Sequence, residues 1–294
     1  MRVLTPSRRR ALLHGAVVGG LIFFAWHYTT AGLGFDAFAY WSVDLANPYG
    51  GVLGGRGFFP YSPAIALIAE PLGLLPWPAF LAVWTALLLA AVVWLGRRHF
   101  LVLLAFPPVA AELVTGNIHL LMAAAIVIGF RFPAAWSFIL LTKASSGVGL
   151  LWFVARGEWR KLAVAVGVTL SFAALSFLFL PTLWSQWFDL LTRSAGQESW
   201  WVPTWLRVAA AVAIVWWGAR RDAYWTVPLA ATIALPVLWV AGLSMLVACW
   251  SLSGPRRRYY VPDARQPGNS VTQSEADDHP AGLQRGAADR LGAG

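Results

Sequence analysis

The chain has 294 residues, of which 59% are hydrophobic and only 12% charged, whereas soluble domains average about 25% charged and roughly 45–50% apolar. Five of the 13 acids (Asp263, Glu275, Asp277, Asp278, Asp289) fall in the last 41 residues, leaving eight for the first 253, too few to cover the surface of a soluble fold. The apolar residues come in long unbroken runs rather than alternating, which excludes a β-barrel. The formal net charge is +9, but the basic residues form small clusters between apolar runs. That is the pattern of cytoplasmic loops and not of a nucleic-acid groove. A single cysteine, Cys249, excludes an intrachain disulfide and a Cys-rich zinc site. The expected fold class is an all-α integral membrane protein over residues 1–253, followed by a disordered cytoplasmic tail over residues 254–294 that cannot bury a core.

In chain order, Arg8-Arg9-Arg10 hold the start of a first span, about Ala11–Ala31, on the cytoplasmic side as an uncleaved signal anchor. Gly32–Pro76 forms an outer-face loop that ends in a short interfacial helix, Ala64–Leu75. A second span, about Ala79–Leu95, returns to Arg97-Arg98 inside. Between these arginines and the basic loop Arg156–Lys161 the number of crossings must be even. Breakers at Gly116-Asn117, Arg131-Phe132-Pro133 and Lys143–Ser146 divide the stretch into four short helices; re-entrant helices are the alternative. Arg131 then lies inside, and Gly116–His119 and Lys143 lie outside. A span at about Leu162–Leu180 leads to an outer loop, Pro181–Pro203, rich in tryptophan (Trp184, Trp187, Trp200, Trp201). Trp205–Trp217 returns inside, and a final pair, about Ala223–Leu238 and Val240–Leu252, ends at Arg256–Arg258. That makes about ten transmembrane helices, several short or re-entrant, with both termini cytoplasmic and no internal repeat.

This topology gathers the few polar residues left on the outer side at one membrane face: Asp36, Asp44, Arg56, Glu70, Glu112, Asn117, His119, Lys143, Asp189, Arg193, Glu198 and Arg207. Charges at membrane depth cost a few kcal/mol unless they pair, face water or work, so an outward-facing polar cavity is expected. Each residue also has a plain structural reading. Asp36 can simply end the first span, Asp44 beside Asn47-Pro48 can be turn chemistry, and His119 can bond a neighbouring helix carbonyl. Lys143, one of only two lysines, either snorkels to the interface or binds an anion. No P-loop, Rossmann fingerprint or His-rich site is present, so neither a cofactor nor a metal is expected.

Asp36-Ala37-Phe38-Ala39-Tyr40 follows the first span, and Asn47-Pro48-Tyr49, Phe59-Pro60-Tyr61-Ser62-Pro63 and Pro71–Pro76 come after it. Further on stand Gly116-Asn117-Ile118-His119-Leu120-Leu121 and Leu141-Thr142-Lys143-Ala144. In their order and common membrane side, these segments resemble the GT-C superfamily of polytopic glycosyltransferases, nearest to the actinobacterial alpha-mannosyltransferases that use polyprenyl-phosphate-mannose. The resemblance covers roughly Val18 to Leu191. It implies an inverting transfer at the outer face of the plasma membrane, from a polyprenyl-phosphate-sugar donor to a lipid or glycan acceptor. It places Asp36 as general base, with Asp44 as the alternative. Lys143 becomes the cation for the departing phosphate, with His119 and Arg193 as weaker candidates. Asn117, Tyr40 and Tyr61 complete the expected substrate-binding set. The chain departs from the family pattern at Asn117, His119 and Ala144, where Gln, Asn and Pro are usual, and its C-terminal half is short. A lipid-sugar flippase or a silent GT-C-like binding protein is the rival reading; transporters usually carry internal repeats and midplane polar residues.

Overall fold

The structure, a computed structural model, describes residues 15–20, 23, 24, 26, 32–194 and 202–253. All of these lie in one compact unit, Met1–Tyr259. The expected first span falls only partly within them; residues 15–20, 23, 24 and 26 are helical. The expected disordered tail, and Glu198, Trp200 and Trp201 of the expected outer loop, lie outside the described residues.

The described residues are helical, with no strand among them. After the loop at 32–36 comes a short helix α1 (Ala37–Trp41), then α2 (Pro63–Ala69), which tightens into a 3₁₀ turn at Glu70–Leu74. The long helix α3 (Trp77–Gly96) passes through a turn at Arg97–His99 into α4 (Phe100–Leu104). Next come α5 (Pro107–Thr115), α6 (His119–Gly129) and α7 (Trp136–Thr142), then a 3₁₀ stretch, Ala144–Leu150, that feeds α8 (Leu151–Ala155). The remaining helices are α9 (Trp159–Phe179), α10 (Pro181–Ser194), α11 (Thr204–Arg220), α12 (Thr226–Ile233) and α13 (Val247–Leu252), the last preceded by a 3₁₀ turn at Val240–Leu246.

Proline sets many of these starts. Pro63, Pro78, Pro107 and Pro133 occupy the first or second helical position, where the missing N–H costs nothing because that donor has no partner inside the helix. The breaks between residues 99 and 155 fall at Gly116–Ile118, Phe130–Phe132 and Lys143, and also at Ala105–Phe106, where no break was expected.

Among the described residues, two helices are long and apolar enough to cross a membrane, Trp77–Leu104 and Trp159–Phe179. The pair α5 and α6 makes a third if its two halves, bent by 112°, count as one span. Helix α9 is apolar on its exposed side, where Leu170, Phe172, Leu175, Phe177, Leu178 and Phe179 stand uncovered. A helix apolar all round needs lipid or protein around it. The protein is therefore a helical membrane protein.

One expectation needs correcting. Pro181–Ser194 is not an outer loop but a helix. Leu183, Trp187 and Leu190 recur at helical spacing and pack inward, with Leu183 and Leu190 buried and Trp187 half-buried. Trp184 and Trp187, two of the tryptophans that suggested a loop, thus belong to an amphipathic helix. The Trp187 indole donates to the Pro60 carbonyl at 3.1 Å and fastens α10 to the segment that precedes α2.

Candidate functional site

The site forms where α5 breaks from α6. Helix α5 ends at Gly116 in the left-handed region, φ 74° and ψ 32°, with its N–H on the Glu112 carbonyl at 2.7 Å. Glycine suits the position twice over: it takes positive φ without strain, and a Cβ there would lie 2.5 Å from the Ala37 Cβ. The loop at residues 34–36 docks on this helix end. Gly34 N–H donates to the Val114 carbonyl at 2.7 Å and Asp36 N–H to the Thr115 carbonyl at 2.8 Å. Two carbonyls that the helix terminus leaves without partners thereby fix where Asp36 sits. The Trp84 indole, donating to the Gly116 carbonyl at 2.7 Å, holds the bend against α3.

Asp36 precedes α1, yet its side chain makes no capping bond to that helix. The residue is partly open, with the Asn117 and Thr115 side chains beside its carboxylate. Burial raises its pKa above the ordinary value; Asn117, Thr115 and Lys143 oppose the shift and Glu112 adds to it.

Asn117 is oriented by its neighbours. Its carbonyl oxygen accepts from Ile118 N–H at 2.8 Å and from the Tyr40 hydroxyl at 3.2 Å. Because Tyr40 donates there, the bond of 2.7 Å between the Tyr40 and Tyr61 hydroxyls must run from Tyr61 to Tyr40, each phenol having one proton to give. The Asn117 amino group is left to face Asp36. Tyr40 also stacks on Trp84, ring centroids 4.9 Å apart, so the whole chain from Tyr61 to Asp36 rests on packed aromatic rings.

A second polar chain starts one turn earlier. Glu112 is fully buried. One of its oxygens accepts from the backbone N–H groups of His119 and Leu120, the donors left open at the start of α6, and the other meets His119 Nδ1 at 3.0 Å. His119 Nε2 in turn meets Lys143 Nζ at 2.9 Å. Lys143 caps the C-terminus of α7. It is half-buried, and its charge reaches both Asp36 and Glu112.

Six of the eight expected residues, Asp36, Tyr40, Tyr61, Asn117, His119 and Lys143, are thus brought together from four separate segments. Two are not. Asp44 is exposed and accepts from Ala46 N–H at 2.9 Å, a local turn. Arg193 is exposed on α10 and returns to its own helix at the Asp189 carbonyl. Arg207, grouped with the outer polar residues on topology, is buried and donates to the carbonyls of Ile233, Leu235 and Pro236; it satisfies the broken end of α12. Arg56 is exposed, with its guanidinium over Phe38 at 4.4 Å. Glu112 is the residue whose part the sequence did not reveal. Its one signal was an acid inside an apolar run, seven positions before a histidine. Among the described residues, no group of three or more His, Cys, Asp or Glu side chains could hold a metal ion.

Residues 58–259 match the family model described as Glycosyltransferase family 87. Nothing matches the chain among curated proteins or among solved structures. The matched stretch contains Tyr61, Glu112, Asn117, His119 and Lys143, while Asp36 and Tyr40 precede it.

Proposed function

Since the chain belongs to glycosyltransferase family 87, we propose that this membrane glycosyltransferase moves a sugar, mannose foremost, from a polyprenyl-phosphate donor to a hydroxyl of a lipid or glycan acceptor. The observation that carries the proposal is the meeting, at one helix break, of the partly open Asp36, whose N–H is held by the Thr115 carbonyl, and the half-buried Lys143, held through His119. Asp36 takes the acceptor's proton as the acceptor oxygen bonds to the anomeric carbon. The bond from that carbon to the phosphate oxygen breaks in the same step, and polyprenyl phosphate leaves carrying the electron pair. A single displacement of this kind inverts the anomeric centre. Positioning accounts for much of the acceleration, the base for roughly a hundredfold or more, and a cation at the growing phosphate charge for the electrostatic part.

The ammonium of Lys143 is that cation. It has three N–H donors, one directed to His119; among the described residues its side chain forms no further hydrogen bond. His119, with both ring nitrogens engaged, supports the lysine rather than touching the phosphate. Asp44 and Arg193 take no part in transfer.

The basic-loop asymmetry supports action at the outer face of the plasma membrane by a GT-C-like domain over residues 1–253. It has ten crossings and cytoplasmic termini, and residues 254–294 form a tail. The ten include the short apolar helices at 133–142, 144–155 and 240–252. Membranes carrying the protein should transfer labelled mannose from polyprenyl-phosphate-mannose to an endogenous acceptor and leave a labelled nucleotide-linked mannose unused. Transfer from the nucleotide sugar alone would sink the donor assignment.

A further inference from the structure

The mechanism leaves Glu112 without a task, although it is fully buried and charged groups at that depth are costly unless something fixes them. We propose that Glu112 is a positioning residue that acts through His119 to keep the Lys143 ammonium aimed at the donor phosphate. This rests on the donor reading above.

The hydrogen bonds fix the order of protons. The Glu112 oxygen that receives the backbone N–H groups of His119 and Leu120 can only accept there. Its other oxygen lies 3.0 Å from Nδ1, so Nδ1 carries the imidazole proton. In the neutral ring Nε2 then presents a lone pair, which is what an ammonium at 2.9 Å requires. Lys143 gives one N–H to the ring and keeps its other donors for an anion. Without the ring acceptor, a side chain with four rotatable bonds would have to be ordered by the substrate itself, at an entropic cost.

Glu112→Gln is the informative change because it separates the two jobs of the carboxylate. The amide oxygen can still accept from the start of α6. The amide nitrogen, a donor, then faces Nδ1 and drives the ring to the opposite tautomer, with its proton on Nε2. That N–H points at the ammonium, so donor meets donor and Lys143 is turned away.

The test is binding of polyprenyl phosphate to the full-length protein in lipid nanodiscs. Lys143→Met should weaken binding about tenfold, the loss of a charge-assisted contact. Glu112→Gln should weaken it several-fold, and the double variant should bind no worse than Lys143→Met alone. Unchanged binding by Glu112→Gln overturns the relay, as does the same factor of loss in both backgrounds, since that would mark a purely structural role. No binding by the wild-type protein overturns the donor reading instead. A second measurement needs no Glu112 variant: in ¹⁵N-histidine-labelled protein, with His119 assigned by its loss in His119→Gln, Nδ1 should be protonated and Nε2 bare. A proton on Nε2 would end the proposal.

Discussion

Two charged clusters punctuate this apolar protein, and they differ in what they leave unspent. Near the loop after α8, Arg156 bonds Glu158, Asp222 and the Ala219 carbonyl, and Lys161 takes the second oxygen of Glu158 at 2.7 Å. Two cations meet two anions, the charges cancel, and the side chains stay partly in water. At the bend between α5 and α6, two acids share one lysine, the histidine between them is already committed, and Asp36 and Lys143 keep capacity for other partners. The first cluster ties helix ends together. The second leaves a carboxylate and an ammonium with room for another partner, which is what the proposed transfer requires. Charge in a membrane protein is thus a poor guide to function until its hydrogen bonds are counted.

That contrast can be broken by mutation. The largest effect should come from Asp36→Asn, which nearly preserves size and removes the base. Sugar transfer at equal membrane levels should fall by roughly a hundredfold or more, whereas Asp44→Asn and Arg193→Gln should stay close to wild type. An inactive Asp44→Asn beside an active Asp36→Asn would transfer the base to the exposed turn.

The pH dependence comes next. A base works as the carboxylate, and burial raises the Asp36 pKa, so kcat/KM should climb with pH through a limb above the ordinary aspartate range. The same shift means that the folded protein holds this proton more tightly than the unfolded chain does. The stability it contributes is present below the unfolded pKa and lost as pH rises through the folded one. A rate that is flat across that range would show that Asp36 does not limit turnover.

Tyr40→Phe should have a middling effect. Stacking on Trp84 survives, but the hydroxyl that orients Asn117 is gone; one hydrogen bond of about 1 kcal/mol corresponds to roughly a fivefold loss. The fall should appear in kcat and leave the donor KM unchanged. A KM effect alone would move Tyr40 from positioning the base to contacting the donor. The smallest effect belongs to the other cluster. Asp222→Asn should lower the amount of protein in the membrane while the rate per molecule stays within about twofold, as for partly exposed ion pairs. A specific loss of rate would mean that the two clusters communicate.

Much of this architecture was legible in the sequence, because lipid leaves the backbone few options. Apolar runs, basic brackets and the breakers at Gly116-Asn117, Arg131–Pro133 and Lys143 lead to the helices and to the places where they stop. Asp36, Asn117, His119 and Lys143 could be grouped because topology alone sends them to one side. The rest depended on contacts that no local pattern encodes. Asp44 and Arg193 were expected on that side too, yet a turn and a helix face occupy their side chains. Glu112 reads as one more acid in an apolar segment until the 112° bend carries α6 back over it. The tryptophans of α10 suggested an interfacial loop because their helical spacing was read as composition. Arg207 was expected among the polar residues of the outer side, whereas three carbonyls at a broken helix end claim it.

The docking of the 34–36 loop on the end of α5 bears on how the molecule is made. Chains emerge from the N-terminus first, so the segment carrying Asp36 is synthesised long before the Val114 and Thr115 carbonyls that anchor it. Until the bend at Gly116 has formed, the two backbone bonds that fix the 34–36 loop have no acceptors. If Asp36 is the base proposed above, catalytic competence comes with one late event of assembly, and a chain stalled before that bend would be inserted but inert.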